Sequence, residues 1–227
     1  MCGRYAFYSP AEAVRQYFAV DSDLDLQPRY NIAPTQVVPV IRQRDGSKEM
    51  VLLHWGLVPF WAQEKSIGNR MINARAETVA EKPSFRNALK SRRCLVLANG
   101  FYEWQETGTA KQPHYICMQD QRPMAFAGLW ESWDKGDEPL ESCTIITTTA
   151  NELVAPIHHR MPVILNTDRQ TDWLSGELLD ADRLRATLLP APAGEMLAWP
   201  VDRMVNSPAN QGPELIEAAR GQQGEPR

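Results

Sequence analysis

Apolar residues recur along this chain in short runs, and most of these runs are typical of β-strands. The clearest of them lie at 94–98, 114–118, 124–130 and 142–149. The last run is so rich in β-branched residues that it predicts a central strand. Asp45-Gly46 separates two further apolar runs and predicts a hairpin turn. Since strands and helices do not alternate in a regular βαβ order, the pattern indicates a single α+β domain, which we place at residues 1–220.

Helical spacing is limited to a few short segments that would flank the strands. Ser9 and Glu12 have the spacing of a capping box, so we expect the first helix to begin there. Another helix is predicted to begin at Thr167, and residues 178–189 predict a further one. Residues 221–227 are polar, and we expect them to form a disordered tail.

Composition places the chain among ordinary globular proteins. Hydrophobic residues make up 43% and charged residues 23% of the sequence, and no run approaches the ~20 apolar residues of a membrane span. The N-terminus has no basic segment followed by an apolar run, so we expect a cytoplasmic protein. Cys94, Cys117 and Cys143 are dispersed through apolar runs without CxxC spacing, which predicts core thiols rather than a disulfide framework or a zinc site. We expect no cofactor and no metal.

Charge gives a mixed indication about nucleic acid as a partner. The formal net charge of −4 argues mildly against it, because nucleic-acid-binding proteins usually have a basic footprint. Basic residues nevertheless cluster between Arg70 and Arg93, and Arg160 follows a pair of histidines. Most surface arginines are simply solvated, so the cluster is compatible with a local basic channel without requiring one.

The N-terminus offers chemistry that no internal residue can supply. Removal of Met1 would leave Cys2 with a free α-amine beside its thiol, a 1,2-aminothiol. The reference pKa of an α-amine is about 7.7–8.0, so part of it is unprotonated near neutral pH. The amine can form an imine with an aldehyde, and the thiol can then close on that imine to give a thiazolidine ring. A frayed terminus would leave this cysteine without a role, but the strand-like run at 3–8 predicts a terminus tied into the fold.

Three internal segments combine polar groups in a way that suggests a site. Glu103 stands between bulky aromatic residues after an apolar strand, where desolvation would raise its pKa and let it donate a proton near neutral pH. The alternative is a glutamate paired with an arginine such as Arg75. On an extended segment Asn73, Arg75 and Glu77 would share one face, although a solvated edge strand has the same pattern. The run 158–160, His-His-Arg, forms a compact polar patch in which at most one histidine faces a given site.

Taken together, these segments resemble the SOS-response-associated peptidase (SRAP) family of abasic-site-processing proteins. The resemblance extends from Cys2 to about Ile216 and includes a late Val205-Asn206. It rests on Met1-Cys2-Gly3-Arg4, Arg29-Tyr30-Asn31-Ile32-Ala33-Pro34, Asn73-Ala74-Arg75-Ala76-Glu77, Asn99-Gly100-Phe101-Tyr102-Glu103-Trp104 and Ile157-His158-His159-Arg160-Met161-Pro162. Any one of these motifs alone would be a weak signal, but their order and spacing together are specific.

The resemblance implies a fold of mostly antiparallel, barrel-like sheets flanked by short helices. It also implies a protein that shields abasic sites in single-stranded DNA through a covalent thiazolidine link between Cys2 and the ring-opened sugar aldehyde. Carried over by position, Asn73 holds the α-amine of Cys2. Glu103 assists sugar ring opening, proton transfer and reversal of the link, while His158 positions and protonates the sugar oxygen.

The matched positions further imply which residues contact DNA. Phosphates would be held by Arg4, Arg75 and Arg160, the site would be lined by Trp104 and Thr147, and Phe60 and Trp61 match the family's aromatic wedge in part. The implied partner is single-stranded DNA containing abasic sites, bound through its backbone and therefore in a salt-sensitive manner. We expect a monomer without membrane association that meets replication-fork proteins and, in a bacterium, lies with the nucleoid.

Three other functions are compatible with the sequence. A thiol peptidase could use Cys2, Glu103 and His158, and self-removal of Met1 would be one form of it. An abasic-site lyase could act through the imine that precedes the ring. The third alternative is a non-covalent binder of single-stranded or modified DNA.

Overall fold

The structure is a computed structural model that describes residues 2–108, 110–175, 177 and 180–219. Within these residues the chain forms twelve β-strands, four α-helices and several short 3-10 turns. The strands are β1 (Tyr5–Phe7), β2 (Arg29–Ile32), β3 (Val37–Arg44), β4 (Ser47–Trp55), β5 (Asn73–Arg75), β6 (Arg93–Ala98), β7 (Gly100–Thr107), β8 (Ala110–Met118), β9 (Met124–Trp133), β10 (Leu140–Thr149), β11 (Arg160–Pro162) and β12 (Met196–Pro200). The helices are α1 (Ala11–Phe18), α2 (Arg86–Ser91), α3 (Thr167–Leu174) and α4 (Ala181–Thr187). The predicted α+β class is confirmed.

The N-terminal strand lies inside the first sheet rather than at its edge. This sheet is antiparallel, with the strand order β12-β8-β7-β1-β2. Tyr5 pairs with Phe101 of β7 on one side and with Ile32 of β2 on the other. The carbonyl oxygen of Arg4 continues the pairing, because it accepts a hydrogen bond from the backbone N–H of Tyr102 at 2.9 Å. The prediction that the terminus is tied into the fold is therefore confirmed.

The second sheet is built around β10 and is closed into a ring. Its order is β11-β10-β4-β3-β6-β9, β5 joins β10, and a further pairing between β9 and β10 closes the ring. Among the described strands, the parallel pairings are those of β10 with β4 and with β5. The predicted antiparallel, barrel-like arrangement is confirmed, and so is the central position of the strand at 142–149.

The hairpin between β3 and β4 follows from its two turn residues. Asp45 and Gly46 both have positive φ angles, 50° and 81°, which glycine adopts freely and aspartate tolerates. The two strands pair continuously from Arg44↔Ser47 to Val37↔His54, so the predicted hairpin is confirmed.

The core connects the two sheets. The ring of Tyr5 packs edge-on against Trp55 at 5.2 Å and against Phe126 at 5.8 Å, which joins β1 to the closed ring of strands. Each of the three internal cysteines is buried and free, as predicted: Cys94, Cys117 and Cys143. Of the helices that the structure describes, none has the length and apolar character needed to cross a membrane.

The predicted capping box at the first helix is wrong. Pro10 occupies the N-cap position of α1, and no side chain caps the helix. Ser9 is buried and instead accepts a hydrogen bond from Asn99 Nδ2 at 2.8 Å. Glu12 pairs with Arg15 at 2.9 Å on the exposed face. The Ser9 hydroxyl, which the local spacing predicted as the helix cap, is therefore engaged in a long-range hydrogen bond with Asn99.

The remaining helix predictions are partly correct. Helix α3 begins at Thr167 as predicted, but its cap is Asn166, whose side chain accepts from the backbone N–H of Arg169. Helix α4 lies within the predicted segment 178–189 and is capped by Asp180; positions 178 and 179 lie outside the described residues. The expected tail at 221–227 also lies outside them, so the domain boundary at 220 stays a prediction.

Candidate active site

Cys2 is buried and is held by the strand that carries Asn73. Its exposed fraction is 0%, and its carbonyl oxygen accepts a hydrogen bond from Asn73 Nδ2 at 2.8 Å. Asn73 begins β5 and pairs with Ile145 of β10, so this contact ties the chain terminus in the first sheet to the closed ring. Asn73 Oδ1 is also buried, and it has no hydrogen-bond partner among the described residues. An acceptor in that position suits the α-amine that removal of Met1 would create on Cys2.

Glu103 lies on β7 with a desolvated carboxyl group. The residue is 3% exposed, and burial raises the pKa of its side chain to about 7. Of the two alternatives open from the sequence, the desolvated acid is the one that this environment supports. A carboxyl group with that pKa is present in both protonation states near neutral pH, so it can donate a proton at one step and accept one at another.

His158 approaches Glu103 from the segment that leads into β11. Its Nδ1 lies 3.9 Å from Glu103 Oε1 and accepts a hydrogen bond from the backbone N–H of Arg160 at 3.0 Å. Burial lowers the pKa of His158, which favours the neutral ring. The same Nδ1 also lies 3.1 Å from the carbonyl oxygen of Arg160, so the backbone of Arg160 offers a partner to either tautomer of the neutral ring. His159 is exposed, and its ring lies 4.4 Å from that of His158 at a tilt of 30°. One histidine of the pair therefore faces Glu103, in line with the prediction.

The thiol of Cys2 is strongly protected from ionisation. Burial raises the pKa of this thiol far above its ordinary value, and the charge of Glu103 raises it further. A thiol in such surroundings is protonated at neutral pH and is a poor nucleophile until a neighbouring base or an electrophile activates it. The thiol is therefore suited to a late step that follows activation of the substrate.

Arg160 is buried, and its guanidinium is hydrogen-bonded to two residues, Glu77 and Thr147. Its guanidinium donates to both carboxylate oxygens of Glu77, at 2.6 and 3.0 Å, and to the backbone oxygen of Thr147. Strand β5 ends at Arg75, and Glu77 lies in the turn that follows, so the prediction that Glu77 shares a strand face with Asn73 and Arg75 is wrong. Glu77 turns instead toward β11 because Arg160 supplies a charge partner there.

Arg4 and Trp104 are fixed by residues whose roles the sequence did not reveal. Arg4 Nη1 donates to Asn31 Oδ1 at 2.8 Å and to the carbonyl oxygen of Val205 at 2.7 Å. The guanidinium lies 5.9 Å from the ring centroid of Trp104, and Trp104 Nε1 donates to Asn206 Oδ1 at 2.7 Å. The motifs containing Asn31 and Asn206 were visible in the sequence, but nothing in their spacing indicated these contacts.

The model of the SOS response associated peptidase (SRAP) family matches residues 1–208. This chain belongs to the SRAP family. Relatives with full-length similarity bear a common name. The chain is 44% identical to the abasic site processing protein YoqW of Bacillus subtilis over 96% of this chain and 100% of that protein. It is 30% identical to the abasic site processing protein YedK of Escherichia coli, covering 96% and 99% of the two chains.

Similarity extends to a vertebrate relative and to solved structures. The abasic site processing protein HMCES of Gallus gallus is 36% identical over 84% of this chain and 66% of its own length. A crystal structure of a protein from Bacteroides thetaiotaomicron superposes with a TM-score of 0.87, at 30% identity and over 96% of this chain and 100% of that chain. A second, from Bordetella bronchiseptica, has a TM-score of 0.74 at 27% identity and covers 88% of this chain and 100% of that one.

Within this SRAP-family chain, the residues predicted for catalysis lie together. Asn73 contacts Cys2, and His158 approaches Glu103, whose charge acts on the thiol of Cys2. Arg160 contacts Thr147, and the guanidinium of Arg4 lies near the ring of Trp104. Arg75 is exposed at the end of β5. Its predicted contact with DNA stays a prediction, as do those of Arg4, Arg160, Trp104 and Thr147.

The aromatic pair on the loop after β4 is partly exposed. Phe60 is 45% and Trp61 40% exposed. Phe60 lines a shallow depression together with Lys90 and Arg92, and the carbonyl oxygen of Trp61 accepts from Lys135 Nζ at 3.1 Å. These contacts include none of the four residues predicted for catalysis, Cys2, Asn73, Glu103 and His158. A role for Phe60 and Trp61 in stacking on bases remains a prediction.

Proposed function

We propose that this SRAP-family protein captures abasic sites in single-stranded DNA by forming a thiazolidine between Cys2 and the ring-opened sugar aldehyde. The observation that carries the proposal is the placement of Cys2, a residue one step from the chain terminus, inside the fold beside Glu103. The names of the full-length relatives support abasic DNA as the substrate. Removal of Met1 is required, because the ring needs the α-amine.

The protonation state of the thiol supports an order in which the amine reacts first. The α-amine adds to the aldehyde, and the resulting carbinolamine takes up a proton and loses water to give an iminium ion. The thiol of Cys2 then adds to the iminium carbon, and its proton passes to a nearby base. The net reaction joins protein and DNA and releases one molecule of water. Burial, which raises the pKa of the thiol, keeps it from ionising before the iminium ion has formed.

Glu103 and His158 divide the proton transfers in this proposal. An abasic sugar is mostly a closed hemiacetal, so an acid at the ring oxygen increases the supply of aldehyde. Protonated Glu103 is that acid, and its ionised form accepts the proton of the attacking ammonium; with a pKa of about 7 both forms are available. The neutral imidazole of His158 donates a hydrogen bond to the sugar oxygen as that oxygen gains negative charge.

DNA binding in this proposal depends on the backbone, since an abasic site has no base edge to read. Arg75 and Arg4 would hold phosphates beside the site, while Phe60 and Trp61 would stack on neighbouring bases. We therefore propose binding that does not depend on the surrounding sequence and weakens as salt rises. A single chain carries all of these groups, so the proposal does not require an oligomer.

The peptidase alternative is less compatible with the site. Thiol peptidases use a thiolate whose pKa has been lowered by a neighbouring cation. Burial and Glu103 have the opposite effect on Cys2. A single self-cleavage that releases Met1 is still compatible with the proposal, because it needs only one turnover. The imine is also the intermediate of strand cleavage, so a lyase activity would share the first step.

The test is a cross-linking assay with two matched controls. Processed protein is mixed with a single-stranded oligonucleotide carrying one abasic site and resolved on a denaturing gel after heating. We expect a shifted band for the wild type and none with a tetrahydrofuran site, which has no aldehyde. Cys2→Ser keeps the α-amine, so we expect only an imine that borohydride can trap. An equally stable band from Cys2→Ser, or peptide cleavage without any DNA adduct, would contradict the proposal.

A further inference from the structure

The ion pair between Glu77 and Arg160 spans the strand at the centre of the closed ring. Strand β5 pairs with one edge of β10, where Arg75 is opposite Thr147. Strand β11 pairs with the other edge, where Arg160 is opposite Thr149. The guanidinium and the carboxylate meet across the end of β10 through two hydrogen bonds of 2.6 and 3.0 Å. The pair therefore links two strands that β10 otherwise keeps apart.

Each of the linked strands carries part of the candidate active site. Asn73 begins β5 and holds the carbonyl oxygen of Cys2. His158 precedes β11, and its Nδ1 accepts from the backbone N–H of Arg160 itself. The ion pair thus joins the half of the site that holds the nucleophile to the half that holds the imidazole.

We propose that Glu77 is a positioning residue, which fixes the separation between Asn73 and His158 through its bidentate contact with Arg160. This inference rests on the proposed function, because its purpose is to bring one sugar within reach of both Cys2 and His158. A bidentate arginine–carboxylate pair restricts orientation as well as distance, since the planar guanidinium matches both oxygens. Displacing a reacting group by about 1 Å can slow a reaction by about a hundredfold.

A purely electrostatic role for Glu77 would give a different result for the rate of the chemical step. The carboxylate is a negative charge near Arg75, which we propose to hold a phosphate. Were Glu77 only a counterion of Arg160, its neutralisation would tighten DNA binding and leave the chemical step unchanged. A positioning residue, by contrast, affects the rate of the chemical step at saturating DNA.

The experiment compares Glu77→Gln with a control at the far end of β10, the strand that the ion pair spans. Glu141 lies near the start of β10, about 20 Å along the strand from Thr147. Its carboxylate accepts a hydrogen bond from the buried Arg42 at 2.9 Å. Both variants remove one carboxylate from a buried arginine. We expect the cross-linking rate at saturating abasic DNA to fall about tenfold or more for Glu77→Gln and to stay unchanged for Glu141→Gln. Affinity for tetrahydrofuran-site DNA should stay unchanged or increase for Glu77→Gln.

Equal cross-linking rates for the wild type and Glu77→Gln would overturn the inference, as would an equal fall in both variants. Should Glu77→Gln fail to fold, Glu77→Asp keeps the charge and shortens the side chain, and we expect an intermediate rate. Loss of the adduct in the wild type itself would reject the proposed function instead.

A second readout needs no DNA and separates the two proposals. The imidazole of His158 is faced by Glu103 from β7, by Lys111 from β8 and by the neighbouring His159. Loosening the contact between β5 and β11 should expose His158 and raise its pKa toward the ordinary value, which an NMR titration of Glu77→Gln would detect. Identical titrations of His158 in the wild type and the variant would overturn the inference whatever the outcome with DNA.

Discussion

Replacing Glu103 with glutamine should stabilise the protein at alkaline pH while slowing its proposed reaction. The carboxyl group is 3% exposed, and burial raises its pKa from an ordinary 4.5 to about 7. At pH 8 the folded protein must therefore hold a carboxylate that the unfolded chain would leave in water. Glutamine has nearly the same size and carries no charge at any pH, so it removes this penalty and leaves the packing in place.

The sign and size of the effect follow from the two pKa values. Below pH 4.5 the carboxyl group is protonated in both states, and the variant has no advantage. Between pH 4.5 and about 7 the folded state binds more protons than the unfolded state, so wild-type stability falls as pH rises. Above pH 7 the difference stays constant. A separation of about 2.5 pKa units corresponds to about 3 kcal/mol of unfolding free energy.

The assay is urea unfolding of the wild type and Glu103→Gln at pH 4, 6 and 8.5. We expect the difference in unfolding free energy to grow from near zero at pH 4 to about 3 kcal/mol in favour of the variant at pH 8.5. In a thermal melt at pH 8.5, the same difference corresponds to a melting temperature about 6–12 °C higher. Glu106→Gln is the control, because Glu106 is exposed on the same strand and should show no comparable gain. A variant no more stable than the wild type at pH 8.5 would refute the account of Glu103 as a desolvated acid.

Two further substitutions test the surroundings of the site. Asn31→Ala should lower the unfolding free energy, measured in urea, by about 2–3 kcal/mol. The buried amide of Asn31 accepts from Arg4 and donates to the carbonyl oxygens of Val205, Ser207 and Asn210, and the variant loses these contacts. A loss below about 0.5 kcal/mol would contradict that anchoring role. Arg75→Gln should weaken binding to undamaged single-stranded DNA and reduce the slope of log K against log salt by about 0.7, the value for one phosphate contact, in fluorescence titrations. An unchanged slope would remove Arg75 from the phosphate-binding residues.

The sequence alone is sufficient to predict those elements whose signal lies in neighbouring residues. Alternation of apolar residues and the Asp45-Gly46 turn predict strands and a hairpin because their physical causes lie within a few neighbouring residues. Glu103 could be singled out for the same reason, since its aromatic neighbours and the preceding strand already imply desolvation.

Contacts between distant parts of the chain could not be predicted in this way. Arg4 reaches the carbonyl oxygen of Val205, 201 positions away, and Arg160 reaches Glu77 across 83 positions. Ser9 was predicted to cap the first helix but bonds instead to Asn99, a residue 90 positions away. Each of these contacts depends on which strands become neighbours, and hydrophobic spacing alone does not fix that order.

The most direct test of the account is the intact mass of the complex between processed protein and abasic single-stranded DNA. Ring closure on Cys2 predicts a species equal to the protein without Met1 plus the DNA, less one molecule of water, which survives heating and does not change on treatment with borohydride. An adduct that still contains Met1, or one whose mass shifts on borohydride reduction as an open imine would, contradicts the claim that nitrogen and sulfur of Cys2 together capture the sugar.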